Sequence, residues 1–274
     1  MTGPVHRESP PQERTARNGH RRPAPGGRVV TPRRAGAVST CHILREDPFL
    51  AEGISPGRRT RAEEACVARA LKVRRGRWGD DPITGFGLLV LEGLLLRRVD
   101  VGGRCAAELL GPGDLLRPNQ ADDAKPMLRR STAWRALEVT RLAVLDDSVV
   151  ERMASYPGVI ARLLDRSVER SRRLAVNMAI VHQRRVDIRL RMLFWHLADR
   201  WGEVRNGRVI VPLRLTHRVL ADLVAAQRPT ISAALSDLER RQILGLTPQG
   251  WQLLAGPPEE ACELTSGAAE TFRW

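Results

Sequence analysis

No run of apolar residues in this 274-residue sequence reaches the roughly 18 that a membrane-spanning helix requires. The best candidate, "GFGLLVLEGLLL", is short and interrupted by Glu92. A spanning helix is therefore not expected, nor a membrane partner, and the chain is expected in the cytoplasm. Cysteine is scarce as well. Cys41, Cys66, Cys105 and Cys262 are widely spaced, with no C-x-x-C pair and no histidines at ligand spacing, so they read as reduced structural thiols rather than an iron–sulfur or zinc site. Aromatic residues make up only 4% of the chain, although 42% hydrophobic residues leave enough to fold. Phosphate loops, metal-ligand clusters and paired nucleophile and base are also missing. The acidic pair Asp122-Asp123 reads as loop solvation, and "HLAD" beside Trp201 forms no catalytic arrangement, so the chain is expected to be neither an enzyme nor a cofactor carrier.

Positive charge is abundant. A formal net charge of +14 points to a polyanionic partner, nucleic acid before an anionic membrane surface, against the plainer alternative that charge serves solubility. Eight arginines and two glutamates give the first 40 residues +6 of that total. This stretch, rich in Pro and Gly with almost no apolar run, is expected to be a disordered basic leader over residues 1–40, lacking the apolar centre of a signal peptide. A misassigned start codon would produce such a leader equally well.

Residues 41–147 alternate strands and turns. In "FGLLVLEGLLLRRVDVGGRCAAELLGPGDLL", short apolar runs are broken at Glu92-Gly93, Gly102-Gly103 and Gly111-Pro112-Gly113-Asp114, the pattern of antiparallel strands joined by tight turns. "TAWRALEVTRLAVLD", residues 132–146, supplies a further strand pair. Together these predict a β-roll. Ala62, Ala65, Cys66 and Ala70 recur at helical spacing, predicting a helix that leads into it.

Residues 148–186 predict a long helix with Pro157 in its first turn. Ile160, Leu164, Ser167, Ser171, Leu174, Met178 and Val181 recur at alternating steps of four and three, a heptad seam suited to a parallel dimer. Leu163, Val168 and Ala175 fall beside it and are expected against the roll. The alternative is a single amphipathic helix buried in its own domain.

Residues 187–256 carry the most specific pattern. Leu190, Leu193, Phe194 and Leu197 share one face of a helix, where Trp195, His196 and Trp201 read as packing residues. "GRVIVPL" reads as a strand. Thr216 caps a helix running to about Val224, "AAQ" breaks it, and a second helix runs from Arg228 to about Arg241 with Ile231, Leu235 and Leu238 inward. Gln227, Arg228, Pro229, Thr230, Ser232 and Ala233 remain outside at its front, where a helix enters the major groove; Thr216 and His217 complete the expected DNA surface. "ILGLTPQGWQLL" supplies two strands of a wing, and residues 257–274 are expected to be a flexible tail.

This order, β-roll, long helix, helix-turn-helix and wing, resembles the Crp/Fnr family of bacterial transcription regulators over about residues 41–256. The resemblance implies an α+β fold: a cyclic-nucleotide-binding-like antiparallel β-roll, a dimerisation helix and a winged helix-turn-helix. It further implies a homodimer on a near-palindromic DNA operator that recruits or blocks RNA polymerase. Two departures matter. Arg117-Pro118 stands where nucleotide-binding members carry Gly-Glu, and a proline cannot accept the ribose hydroxyls' bonds. Arg130-Ser131 still matches the phosphate-holding step. The effector residues implied are thus Arg117, Arg130, Ser131 and Thr132, with cyclic AMP disfavoured and the effector unknown or absent. Arg228 matches the family's first base-reading arginine, but Pro229 and Ala233 replace its acidic residue and second arginine, so a different operator is expected. An effector would act through the hinge between Val181 and Asp187. The competing reading is a small-molecule sensor whose helix-turn-helix docks a protein instead of DNA.

Overall fold

The structure, a computed structural model, describes residues 39–78, 85–118 and 127–262. Nearly all of the expected leader, the pair Asp122-Asp123 and most of the expected tail lie outside the described residues.

Strand β1 (Ser39–His42) and the single turn α1 (Ile43–Glu46) lead to α2 (Pro56–Ala65) and β2 (Val67–Val73). The helical spacing read through Ala70 is corrected here: the helix ends at Ala65. Beyond Cys66, burial switches to alternate positions at Ala68 and Ala70, the period of a strand with one face in the core. The chain then forms β3 (Gly76–Trp78), β4 (Gly87–Glu92), β5 (Leu95–Val101), β6 (Arg104–Leu110), β7 (Leu115–Leu116), β8 (Arg130–Ala136) and β9 (Thr140–Leu145).

These strands make two antiparallel sheets, ordered β1-β2-β9-β4-β7 and β3-β8-β5-β6. A shared core joins them, with Leu88, Val90, Leu142 and Val144 from the first sheet and Leu95, Leu110, Trp134 and Ala136 from the second. Of the three punctuations read as tight turns, only Gly102-Gly103 closes a hairpin. Val101 pairs Arg104 across it, and both glycines have positive φ (58° and 75°), as a two-residue primed turn demands. Glu92-Gly93 and Gly111–Asp114 instead carry the chain from one sheet to the other, because β4 pairs with β7 and β9 while β5 pairs with β6 and β8. The pair expected over residues 132–146 is likewise two strands in different sheets. β8 joins β5 and β3, and β9 joins β2 and β4.

Helix α3 (Asp147–Met153) begins at Asp146, whose carboxylate accepts from the Val149 amide at 3.1 Å. Helix α4 (Pro157–Val181) follows with 25 residues and Pro157 at its first position. It spans about 38 Å at ~1.5 Å per residue. Its buried side starts at Val159 and Leu163, against Leu89, Ala143 and Leu145. Val168 and Ala175, expected there, are exposed. The roll-facing positions are 159, 163, 166, 170, 173, 177 and 180, and the middle three are arginines with anionic partners. Arg166 pairs with Asp47, Arg170 with Glu108 (2.5 Å) and Arg173 with Asp114 (2.8 Å).

The chain continues through α5 (Val186–Trp201), β10 (Glu203–Arg205), β11 (Arg208–Val211), α6 (His217–Leu223), α7 (Arg228–Arg240), β12 (Leu244–Thr247) and β13 (Gly250–Leu253). The four strands form a sheet ordered β10-β11-β13-β12. Leu190, Leu193, Phe194 and Leu197 of α5 are buried against Ile231, Leu235, Leu238 and Trp251, with the Phe194 and Trp251 rings 5.0 Å apart. The same core reaches Leu94, Leu96, Ala107 and Leu109 of the roll.

Candidate nucleic-acid interface

Helix α6 starts at Thr216, whose hydroxyl accepts from the Val219 amide at 3.3 Å, the side-chain cap that stops the chain fraying at this point. It ends after seven residues because Ala225 takes φ 50°. That left-handed conformation costs a non-glycine residue about 1 kcal/mol. The turn is closed by the Ala226 amide, which donates to the Ala221 carbonyl at 3.0 Å, with Ala221 buried beneath. Helix α7 then buries Ile231, Leu235 and Leu238 on one stripe, which aims the opposite side of its first turn outward.

Gln227, Arg228, Pro229, Thr230 and Ala233 are exposed on that outward side, and Thr216 is exposed beside them. The Arg228 guanidinium makes no hydrogen bond or ion pair with the described residues, so it is available for a bidentate acceptor. Ser232 is half-buried and engaged: its hydroxyl donates to the Arg228 carbonyl at 3.1 Å and meets His217 Nδ1 at 2.9 Å. A groove of about 610 Å³ runs between the starts of α6 and α7 and the wing, lined by Thr216, His217, Arg218, Arg228, Leu246 and Trp251. Of the eight expected DNA residues, Thr216, His217 and Arg228 line this groove, Ser232 contacts His217, and Gln227, Pro229, Thr230 and Ala233 are exposed at the front of α7. Arg218 and the exposed wing residue Leu246 were missed in the sequence. The signal for Arg218 was its position two residues beyond the helix cap.

The expected effector residues do not share one place. Arg117 follows β7 and donates to the Gly85 carbonyl. Arg130, Ser131 and Thr132 lie on the exposed end of β8, registered with Val101, Asp100 and Val99. Along α4, the expected seam divides: Ile160, Leu174 and Val181 are half-buried, whereas Leu164, Ser167, Ser171 and Met178 are exposed. Val168 adds to the exposed apolar stripe.

Ion pairs tie the roll to the helix-turn-helix. Asp114, 2% exposed, meets both Arg173 of α4 and Arg200 of α5, the latter at 2.7 Å. Arg98 of β5 reaches Asp222 of α6 at 3.3 Å, and its Nε donates to Cys105 Sγ at 3.2 Å. Burial raises the Asp222 carboxyl above its ordinary range, opposed by Arg98 and Arg218. Burial lowers the Arg173 guanidinium, and Arg200 beside it adds to the effect. Such pairs contribute little net stability but fix geometry when both partners are present.

Residues 188–254 match the family described as the Crp-like helix-turn-helix domain. The chain is also similar to the CRP-like cAMP-activated global transcriptional regulator of Mycobacterium tuberculosis, 29% identical over 160 residues, covering 58% of this chain and 67% of that protein. Its fold is similar to that of a cyclic nucleotide-binding domain containing protein from Listeria monocytogenes EGD-e (TM-score 0.56, 14% identity, 76% of this chain and 94% of that one). It is similar also to that of FixK2 from Bradyrhizobium japonicum (TM-score 0.53, 19% identity, 72% and 96%).

Proposed function

The chain belongs to the Crp/Fnr family of DNA-binding transcription regulators, and from that premise we propose that it works as a cytoplasmic homodimer reading a near-palindromic operator. The observation that carries this reading is the unpartnered Arg228, exposed with Thr230 and Ala233 at the front of a helix whose other face is locked into the core. Arginine gives a bidentate pair to guanine, and the Thr230 and Ala233 methyls suit a thymine methyl. Thr216, the half-buried His217 and Arg218 take phosphate.

The exposed apolar stripe at Leu164, Val168 and Met178 supports pairing of α4 with a second copy. Two copies would set their recognition helices in successive major grooves, roughly 34 Å apart. RNA polymerase is the partner recruited or blocked from the bound site. Pro118 at the ribose-holding step, with Arg117 turned to the Gly85 carbonyl, supports an effector other than cyclic AMP, or none.

The test is selection of DNA from a random pool by the purified chain, with Arg228→Ala in parallel. A two-fold motif that is lost in the variant is the expected result. Binding that follows salt alone, with no enriched motif, would overturn the operator reading.

A further inference from the structure

We propose that the junction of the roll with α4 and α5 holds a binding site for a small oxyanion that carries a proton, with inorganic phosphate as its ligand. The site is independent of how the chain reads DNA.

The argument begins with an imbalance of charge. Four arginines converge at this junction on two buried carboxylates. Glu108 of β6 meets Arg97 of β5 at 2.5 Å and Arg170 of α4 at 2.5 Å. Asp114 meets Arg173 of α4 at 2.8 Å and Arg200 of α5 at 2.7 Å. Four positive charges against two negative leave a surplus of two, on side chains only 18% to 30% exposed, where water screens them poorly. Glu169, 4.0 Å from Arg173, and Asp199, beside His196, are exposed and offset little of it. Two of the guanidinium groups register the strain. Burial holds Arg97 and Arg173 below the ordinary arginine range, and a neighbouring arginine adds to it in each case: Arg170 for Arg97, against the pull of Glu108, and Arg200 for Arg173. A part-buried surplus of cations is relieved by an anion.

There is room for one. A cavity of about 50 Å³ lies among these groups, with Glu108, Arg170, Arg173, Asn177, His196 and Arg200 in its lining. One water needs roughly 10–15 Å³ on this measure, so the space suits an ion with four oxygens and is too small for a nucleotide. Guanidinium groups bind such oxygens in pairs. The site is also separate from the phosphate step that the sequence implies. Arg130 registers with Val101 and Arg97 with Trp134, so the two positions stand four residues apart along β5, about 13 Å at ~3.3 Å per residue.

Asn177 specifies the proton. Its Nδ2 donates to the Ala107 carbonyl at 3.2 Å, and because a carbonyl only accepts, that contact fixes which way the amide points. Asn177 Oδ1 is then buried without a donor among the described residues. An acceptor left in this state favours a ligand that brings an O–H. Inorganic phosphate keeps at least one proton throughout the neutral range. Sulfate has none there, and a phosphate monoester loses its last with a pKa of about 6. An ion held by both Arg173 and Arg200 ties α5, against which α7 packs, to α4 and the roll.

The test titrates the full chain with phosphate, sulfate and glycerol phosphate at constant ionic strength, read by calorimetry and by melting temperature at one protein concentration. Phosphate is expected to bind saturably and to raise the melting temperature by about 5–10 °C when it is about 100-fold above its Kd. It should bind about 10-fold more tightly than sulfate or the monoester, the difference that one hydrogen bond makes. Arg200→Gln leaves Arg173 its carboxylate and is expected to fold while losing about 10-fold or more in phosphate affinity. Asn177→Leu is expected to keep oxyanion binding but to bring phosphate and sulfate within about 2-fold of each other.

Equal phosphate affinity in the wild type and Arg200→Gln overturns the site. So does a melting temperature that climbs with phosphate and sulfate alike and never saturates, which is the general effect of excluded salts. Saturable binding in which sulfate or the monoester equals or exceeds phosphate overturns the ligand assigned. Should Arg200→Gln fail to fold, the wild-type comparison of the three anions decides by the same criteria.

Discussion

Replacing Asp114 by Asn is expected to destabilise the chain far more than a surface charge change would. The carboxylate is 2% exposed and accepts from the Gly111 amide at 2.9 Å, from Arg173 at 2.8 Å and from Arg200 at 2.7 Å. Its two arginines are only 25% and 18% exposed. Asn keeps the shape and one carbonyl oxygen for the Gly111 amide, so the loss isolates the charge. Two part-buried guanidinium groups then lose their shared carboxylate, and removing one partner of such a cluster costs about 3–5 kcal/mol. Solvent reaching the arginine ends pulls the expectation to the lower limit, about 3 kcal/mol. For a chain of this size that is a drop of about 6–12 °C in melting temperature. The assay is thermal and urea unfolding at one fixed protein concentration, since subunit association would shift both midpoints. A double-mutant cycle with Arg200→Leu should recover part of the loss, because the second variant removes one stranded charge. A destabilisation under about 1 kcal/mol, or strict additivity in the cycle, would refute the reasoning.

Arg228→Ala should cost about 1–3 kcal/mol on the selected operator and relax preference at one base pair in each half-site; equal loss on random DNA in competition binding would count against direct readout. Leu164→Glu places a charge in the exposed stripe of α4, where the native leucine is 56% exposed, and should halve the mass measured by light scattering if that stripe pairs two copies. Burial, then Arg173, lowers the pKa of His196. The unfolded chain therefore takes up this proton first as pH drops below about 6.5, and stability should fall there by at most about 1.4 kcal/mol per pH unit. His196→Asn should flatten that part of a melting-temperature profile. Ala225→Gly, at φ 50°, should raise stability by about 0.5–1 kcal/mol in urea unfolding, and a loss would show that the left-handed turn carries no strain.

The reading unit was legible because its information is local. The Thr216 cap, the break at Ala225 and the inward row Ile231, Leu235, Leu238 all lie within one short stretch, and each depends on neighbours three or four residues away. The roll was legible as strands but not as pairs. Gly93 turns the chain out of one sheet into the other as plausibly as it would close a hairpin, and nothing local distinguishes the two. Ala70 illustrates a different failure, since a helical spacing of small residues ran on into a strand. Along α4, Arg166, Arg170 and Arg173 face the roll. Their partners are Asp47, Glu108 and Asp114, separated by 119, 62 and 59 positions, so only the folded chain brings them together. Ser232 was read as a free hydroxyl for the same reason, because its occupant, His217, comes from the preceding helix.

The two stripes of α4 carry one more implication. The roll-facing row and the expected pairing seam share the same spacing and stand one position apart, about 100° around the helix. Such a rod behaves as a camshaft: turning it to adjust the fit of one row swings the other by the same angle. Any rotation that tightens the grip on a second copy must therefore drag the arginine rungs across Asp47, Glu108 and Asp114, and through Arg173 and Asp114 on to Arg200 of α5. Substitutions on the outward row should accordingly be compensated by substitutions on the inward one, residues that never touch but turn on one axle.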